Sequence, residues 1–422
     1  MKWSKLAFFA LLIGVYGNIS AQTKKQATNY DEQKVPVFQL PDLLTCQDGT
    51  PVKTAKDWER KRRPEIMEFF QSNVYGRTPK DKIKVAYEPV AKNTKALGGL
   101  ATMEQVYLHF KGQKQERKAL MLVLYPNERK GKVPVFVSYN FKGNPTTLAD
   151  NAILYSPLSS QMVPPTSDGG ARGGSSSRWD YENIIKRGYG IVVMCYHDIF
   201  PDGAKYREQS ILPLFKGYTK QLERDDEWQS IGAWAWGASR MADYVVKQKW
   251  ADAEKLIVIG HSRLGKTALW AGAQDKRFKV VISNDSGCGG AALSKRAFGE
   301  TVWRITKTFP HWFCPKFTQY GINEEALPMD QHGLIALIAP RHAYVASAQA
   351  DAWADPRGEY LSAYYASPVW KLYGLEGITQ KEMPAIHQPN QSAVGHHIRA
   401  GKHDVTDYDW KCYLDYCDKW LK

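Results

Sequence analysis

The segment Lys255-Leu-Ile-Val-Ile-Gly-His-Ser-Arg-Leu-Gly-Lys-Thr-Ala-Leu-Trp270 constrains the fold more than any other stretch of the chain. An apolar run of strand type ends at Gly260, and two residues later Ser262 opens a stretch with helical apolar spacing. A strand that turns this sharply into a helix belongs to a parallel sheet with the helix packed back across it. The turn also holds the serine hydroxyl clear of the backbone. It is tight enough to need small residues, Gly260 where the chain leaves the strand and Gly265 where the new helix packs close. The spacing departs from the common G-x-S-x-G elbow, because Leu264 stands where the second glycine would be and Gly265 follows one later. On spacing alone two readings stay open: a nucleophile, or a bland strand-to-helix turn in which Ser262 caps the helix.

Downstream residues bear on that choice. A hydrolase built on such a sheet takes its acid from a loop after a later strand and its histidine from a loop near the C-terminus. Arg341 to Ala348 reads as a buried strand running into Gln349-Ala-Asp-Ala-Trp-Ala-Asp-Pro356, which puts Asp351 where the acid belongs. After a helical stretch from Gly358 to Tyr373, the loop Val394 to Asp404 offers His396, His397 and His403. His403 is preferred because it lies at the loop's end, before an amphipathic helix from Tyr408 to Leu421.

Elsewhere, Trp58 to Phe70 reads as a helix, and residues 105–110, 118–124, 133–139 and 188–196 read as strands, the first alternating and the later ones continuously apolar. Ile231 to Lys247 has helical spacing, and 280–283 and 343–346 add further strands. The expected architecture is a mainly parallel central sheet sandwiched by helices, a three-layer α/β-hydrolase fold. The Gly- and Ser-rich loop 164–177 is either a flexible insertion or a wall of the active site.

Met1 to Lys5, the apolar Leu6 to Val15 and the small residues ending at Ala21 have the form of an export signal. The expected organisation is a signal over 1–21, a disordered leader over 22–36 and a single α/β-hydrolase domain over 37–422, exported to the periplasm or beyond. The apolar core of the signal is too short to span a bilayer, no later segment is long and uncharged enough, and a monomer is expected. Net charge is +14, which suits a polyanion. Nothing resembles a nucleic-acid fold, and an exported chain meets acidic polysaccharide far more often. Fourteen tryptophans favour the same partner, since indoles pack on sugar rings, although most must fill core. Six cysteines permit disulfides without demanding them, and no C-x-x-C or H-E-x-x-H spacing points to a metal.

The motifs GHSRLGK (Gly260 to Lys266), SNDSGCGGAAL (Ser283 to Leu293), FPHWFC (Phe309 to Cys314), DAWADPRGEYLSAYYASPVW (Asp351 to Trp370) and GKHDV (Gly401 to Val405), with RRPEIMEFF near Arg62, resemble the bacterial glucuronoyl esterases of carbohydrate esterase family 15. The resemblance covers essentially the whole chain after the signal. It implies Ser262 as nucleophile, His403 as base and Asp351 as principal acid. Asp285 matches a second acidic position, usually glutamate in relatives, and is expected to be an auxiliary acid or a structural hydrogen-bond acceptor. Arg263 follows the nucleophile, so its backbone N–H and its guanidinium are oxyanion candidates, and Gly143 or a neighbour could supply a second donor. The resemblance further implies that Lys266, Glu300 and Trp353 hold the uronate sugar; from the residues alone they would be a solvated lysine, a helix charge and core. Cysteines that flank the nucleophile and follow the histidine in fungal relatives are here His261 and Asp404, so that bridge is absent.

The function so implied is hydrolysis, without a cofactor, of (4-O-methyl-)glucuronate esters that join glucuronoxylan to lignin alcohols. An acetyl xylan esterase or general carboxylesterase on the same fold, and a non-catalytic glycan-binding relative, are the alternatives.

Overall fold

The computed structural model describes residues 28–422; the expected signal and residues 22–27 of the expected leader lie outside the described residues. Its strands are β1 (Lys84–Ala96), β2 (Ala101–Gly112), β3 (Gln115–Pro126), β4 (Val133–Asn140), β5 (Gly190–Cys195), β6 (Ala251–His261), β7 (Phe278–Asn284), β8 (His342–Ala348) and β9 (Val394–Arg399). They form one sheet in the order β1-β2-β3-β5-β4-β6-β7-β8-β9. Pairing is antiparallel from β1 to β5 and parallel from β5 through β4, β6, β7 and β8 to β9.

The continuously apolar strands hide a period of two. Along β4, Val135 and Val137 face one core while Phe136 faces the other, and along β6 Val258 opposes Ile257 and Ile259 in the same way. Such strands are buried on both faces because helices cover both. The helices Ser230–Val245, Arg263–Gln274 and Pro356–Ala366 feed the larger core, and the C-terminal helix Asp407–Leu421 feeds the other. That layering is the α/β-hydrolase fold.

Three local expectations need correction. The stretch 394–404, read as one loop, begins with six residues paired to β8, so His396 and His397 lie fully buried in β9. β1 lies outside the strands expected from sequence; it is an edge strand, exposed along much of its length and rich in polar residues. Within the expected disordered leader, residues 28–36 pack on the domain. Glu32 pairs with Arg296 at 2.6 Å and Arg357 at 3.4 Å, Asn29 accepts the Gly299 N–H at 2.8 Å, and the Tyr30 ring meets Phe298 edge-on at 6.2 Å.

Candidate active site

The site lies at the C-terminal ends of β6, β7 and β8. Ser262 occupies the turn between β6 and its helix at φ 58° and ψ −129°, a left-handed conformation that costs a non-glycine residue about 1–3 kcal/mol. Its side chain makes no capping hydrogen bond, so the bland N-cap role is not the one it adopts. Gly260 is obligatory: a Cβ there would lie 1.9 Å from the Leu264 carbonyl oxygen. Gly265 approaches Ser286, where a Cβ would sit at 2.9 Å, while Leu264 turns into the core. The second glycine is therefore needed one residue later than in the common motif.

His403 lies in the short loop after β9, its ring 4.4 Å from that of His261, the residue before Ser262. His403 Nδ1 donates to Asp351 Oδ2 at 2.6 Å. A carboxylate oxygen of Asp285, one of Asp351 and a ring nitrogen of His403 all fall within 4.8 Å of one another, so both acids stand beside one imidazole. They are not equivalent. Asp285 is wholly buried, with Oδ2 3.5 Å from Arg399 and 3.4 Å from the Asp404 N–H, and its Oδ1 has no partner among the described residues. Burial, then the charges of Glu359 and Asp351, push its pKa well above the usual carboxylate range. Asp355 caps the helix that follows it and binds Arg296.

Arg263 reaches back over the elbow to Asp202, a residue that sequence reasoning missed. Asp202 also accepts from His311 Nε2 at 2.7 Å, Trp312 Nε1 at 2.8 Å and the Tyr196 hydroxyl at 2.9 Å. Burial works to raise the Asp202 pKa, but the His311 bond and the Arg263 charge outweigh it and hold the carboxyl well below its usual range. The FPHWFC motif was the available signal, since His311 and Trp312 belong to it. The Arg263 guanidinium also lies 4.8 Å from the Trp312 ring, so it is fixed in place on two sides. Gly143 is not a free oxyanion donor: its N–H donates to Asn140 Oδ1 at 2.7 Å.

On the same side, Lys266 Nζ donates to the Ser286 carbonyl and lies 4.0 Å from Glu300, both side chains buried. Burial lowers the lysine pKa and raises that of Glu300. Trp353 is 40% exposed, and its carbonyl accepts the Glu300 N–H at 2.9 Å. A buried ion pair beside an exposed indole is a wall suited to a polar ring with hydroxyls on its edge. On the opposite side, loop 164–177 is stitched down through Gly173 and Ser175 to the loop after β4, and Arg178, just beyond it, pairs with Asp404 at 2.6 Å. Ser175 and Arg178 line a cavity of about 50 Å³ with His261 and Trp410.

All six cysteines are free and buried. No helix of the described residues is long and apolar enough to cross a membrane.

The family model for fungal glucuronyl esterases matches residues 217–374. A carbohydrate esterase designated MZ0003, from an unknown prokaryotic organism, is 43% identical over 400 residues, covering 92% of this chain and 91% of that one. The 4-O-methyl-glucuronoyl methylesterase of Phanerochaete carnosa is 28% identical over 80% of this chain and 72% of its own. Among solved structures, the glucuronoyl esterase from Solibacter usitatus superposes with a TM-score of 0.86 at 42% identity, covering 92% of this chain and all of that one. With this much identity across nearly the whole chain, and a serine elbow set beside a histidine–carboxylate pair, the protein belongs to the glucuronoyl esterases of carbohydrate esterase family 15 and is a carboxylic ester hydrolase.

Proposed function

We propose that this chain hydrolyses esters of glucuronic acid or its 4-O-methyl ether, of the kind that join glucuronoxylan side chains to lignin alcohols. The observation that carries the reading is the buried Lys266–Glu300 pair with exposed Trp353, set on one side of the serine elbow. A simple acetyl esterase has no use for such a wall.

In this reading the uronate ring stacks on Trp353 while Lys266 and Glu300 hydrogen-bond its hydroxyls. Ser262 Oγ attacks the ester carbonyl as His403 takes its proton, and Asp351 holds the imidazole in the tautomer that leaves Nε2 free to accept it. Negative charge on the tetrahedral intermediate meets the Arg263 N–H and guanidinium, which Asp202 and Trp312 have already positioned. His403 then protonates the departing alcohol, and a water repeats the sequence to release the uronate. No step calls on a cofactor. The catalytic domain is assigned to residues 37–422, working as a monomer exported by a signal cut near Ala21.

The test is a comparison of three substrates. Trp353→Ala and Lys266→Met should lower kcat/KM for benzyl glucuronate by about 10- to 100-fold while leaving p-nitrophenyl acetate hydrolysis unchanged, because lost sugar contacts are felt only by a substrate that makes them. Faster release of acetyl groups from xylan than cleavage of glucuronate esters would reject the substrate assignment and leave the fold and Ser262 intact.

A further inference from the structure

One buried side chain gathers the backbone carbonyls of the loop that carries His403. Arg399, the last residue of β9, uses all five of its guanidinium N–H groups. Nε donates to Asp409 Oδ2 at 2.7 Å. One terminal nitrogen donates to the carbonyls of Ala400 at 3.1 Å and Lys402 at 3.0 Å, and the other donates to the Asp404 carbonyl and faces Asp285 Oδ2 at 3.5 Å. The carbonyls on either side of His403, those of Lys402 and Asp404, are thus tied to one rigid planar group. Arginine alone among side chains offers five donors in a fixed fork, so lysine cannot reproduce this set.

The clamp is itself anchored. Asp409 lies in the first turn of the C-terminal helix and also accepts from His397 Nε2 at 2.8 Å and from the Thr406 N–H at 2.7 Å. Asn284, which accepts from His261 Nδ1 at 2.5 Å, points its amide at Asp409 from 3.4 Å. A continuous hydrogen-bonded path therefore joins the residue before the nucleophile to the residues around the base. Both ends of the proton transfer are referenced to one buried ion pair.

We propose that Arg399, anchored by Asp409, is the positioning residue that fixes His403 relative to Ser262 and Asp351. It touches neither substrate nor the reacting atoms and acts through the loop and through Asp285. The proposal rests on His403 being the general base. Proton transfer between side chains is sensitive to placement, a shift of 1 Å costing about 100-fold in rate. Loss of the clamp should therefore appear in kcat and hardly at all in KM, because the sugar wall lies on other loops.

The experiment measures kcat and KM on benzyl glucuronate for Arg399→Gln, Arg399→Lys and Asp409→Asn, with glucuronate binding by calorimetry on the same samples to count binding-competent molecules. Arg399→Gln should lose about 100-fold in kcat per competent molecule, with KM within about threefold. Arg399→Lys should recover part of that loss, and Asp409→Asn should lose about tenfold, since the amide keeps the shape and removes the charge. A merely structural role would reduce the competent fraction and leave kcat per competent molecule untouched. Finding kcat within threefold of wild type in both Arg399 variants would overturn the proposal. Should neither Arg399 variant fold, an unchanged kcat in Asp409→Asn would do the same. His403→Ala serves as the control: if it keeps activity, the assignment of the base has failed; if it is inactive while the Arg399 variants turn over normally, only the clamp has failed.

Discussion

Replacing Asp202 by asparagine tests whether the charge beside the elbow is held in place or merely nearby. The carboxylate takes four donors, two on each oxygen: His311 and Trp312 on Oδ1, Arg263 and Tyr196 on Oδ2. An asparagine side chain presents one oxygen and one NH₂ group; turned one way the NH₂ faces the Arg263 guanidinium, turned the other it faces the Trp312 N–H, so at least one donor that cannot accept is left against another donor. Bonds of this type to a charged group contribute about 1.5–3 kcal/mol each. Because Arg263 keeps 27% exposure while Asp202 keeps 6%, water recovers part of that, and the expected loss of stability is about 2–4 kcal/mol. Removal of an oxyanion donor costs about 100- to 1,000-fold in kcat, and a guanidinium displaced rather than removed should fall near the lower figure. Urea denaturation gives the first quantity, and steady-state kinetics on benzyl glucuronate gives the second. The carboxyl pKa is depressed in the folded state, so this stability is present above about pH 3.9, the unfolded value, and is lost as the pH falls from there toward the folded value. The gap between wild type and variant should therefore narrow in acid. A kcat within fivefold of wild type would refute the reasoning. So would an Asp202→Asn/Arg263→Ala double variant far slower than Arg263→Ala alone, since Asp202 would then act independently of Arg263.

Ser262→Ala should abolish ester hydrolysis and still bind glucuronate in calorimetry; turnover within tenfold of wild type would remove it as nucleophile. His396→Ala, buried in β9, should lower the urea midpoint rather than kcat per folded molecule, while His397→Ala should add a kcat loss no larger than that of Asp409→Asn, whose carboxylate it supports; a loss as large as that of His403→Ala in either would move the base. Asp351→Asn should retain weak activity that rises with pH through a range above ordinary carboxylates, because Asp285 must lose a proton that burial holds before it can support the imidazole. A pH-independent residue, or an Asp351→Asn/Asp285→Asn double variant no slower than Asp351→Asn, would leave Asp285 a purely structural acceptor. Glu32→Gln, or deletion of residues 28–36, should raise KM for glucuronate esters severalfold with little change toward p-nitrophenyl acetate; equal loss on both substrates would argue against a local effect.

The legibility of this chain follows its chemistry. Elements that announce themselves by uninterrupted apolar residues, β3 to β8 and the elbow, are readable because burial on both faces demands them. β9 is not, since Gly395-His-His-Ile-Arg399 has a loop's composition, and only the partners Tyr344, Asp409 and Asp285, all distant in sequence, explain how such residues are buried. Ser262, Asp351 and His403 stand at positions that connectivity prescribes. Asp202, Arg399 and Asp409 have no such marker, because their importance lies in what they bond to across the fold. Asp285 could be named from sequence, but its orientation toward Arg399 depends on a side chain in another strand.

The packing of Glu32 on Arg296 also bears on the order in which the molecule is assembled. The two residues are 264 positions apart, and the loop so fastened leads directly to Glu300, whose neighbour Gly299 bonds to Asn29. In a chain synthesised N-terminus first, residues 28–36 arrive early and must wait for nearly two-thirds of the polypeptide before their partner exists. Contacts closing so long a loop form late. The proposed hydrolytic centre at Ser262, His403 and Asp351 does not include this fastening, so molecules nicked to lose the N-terminal segment would still cleave esters but with weaker discrimination among them. Part of this enzyme's selectivity would then depend on an intact N-terminal segment, and its loss would leave no trace in an assay that uses only a simple ester.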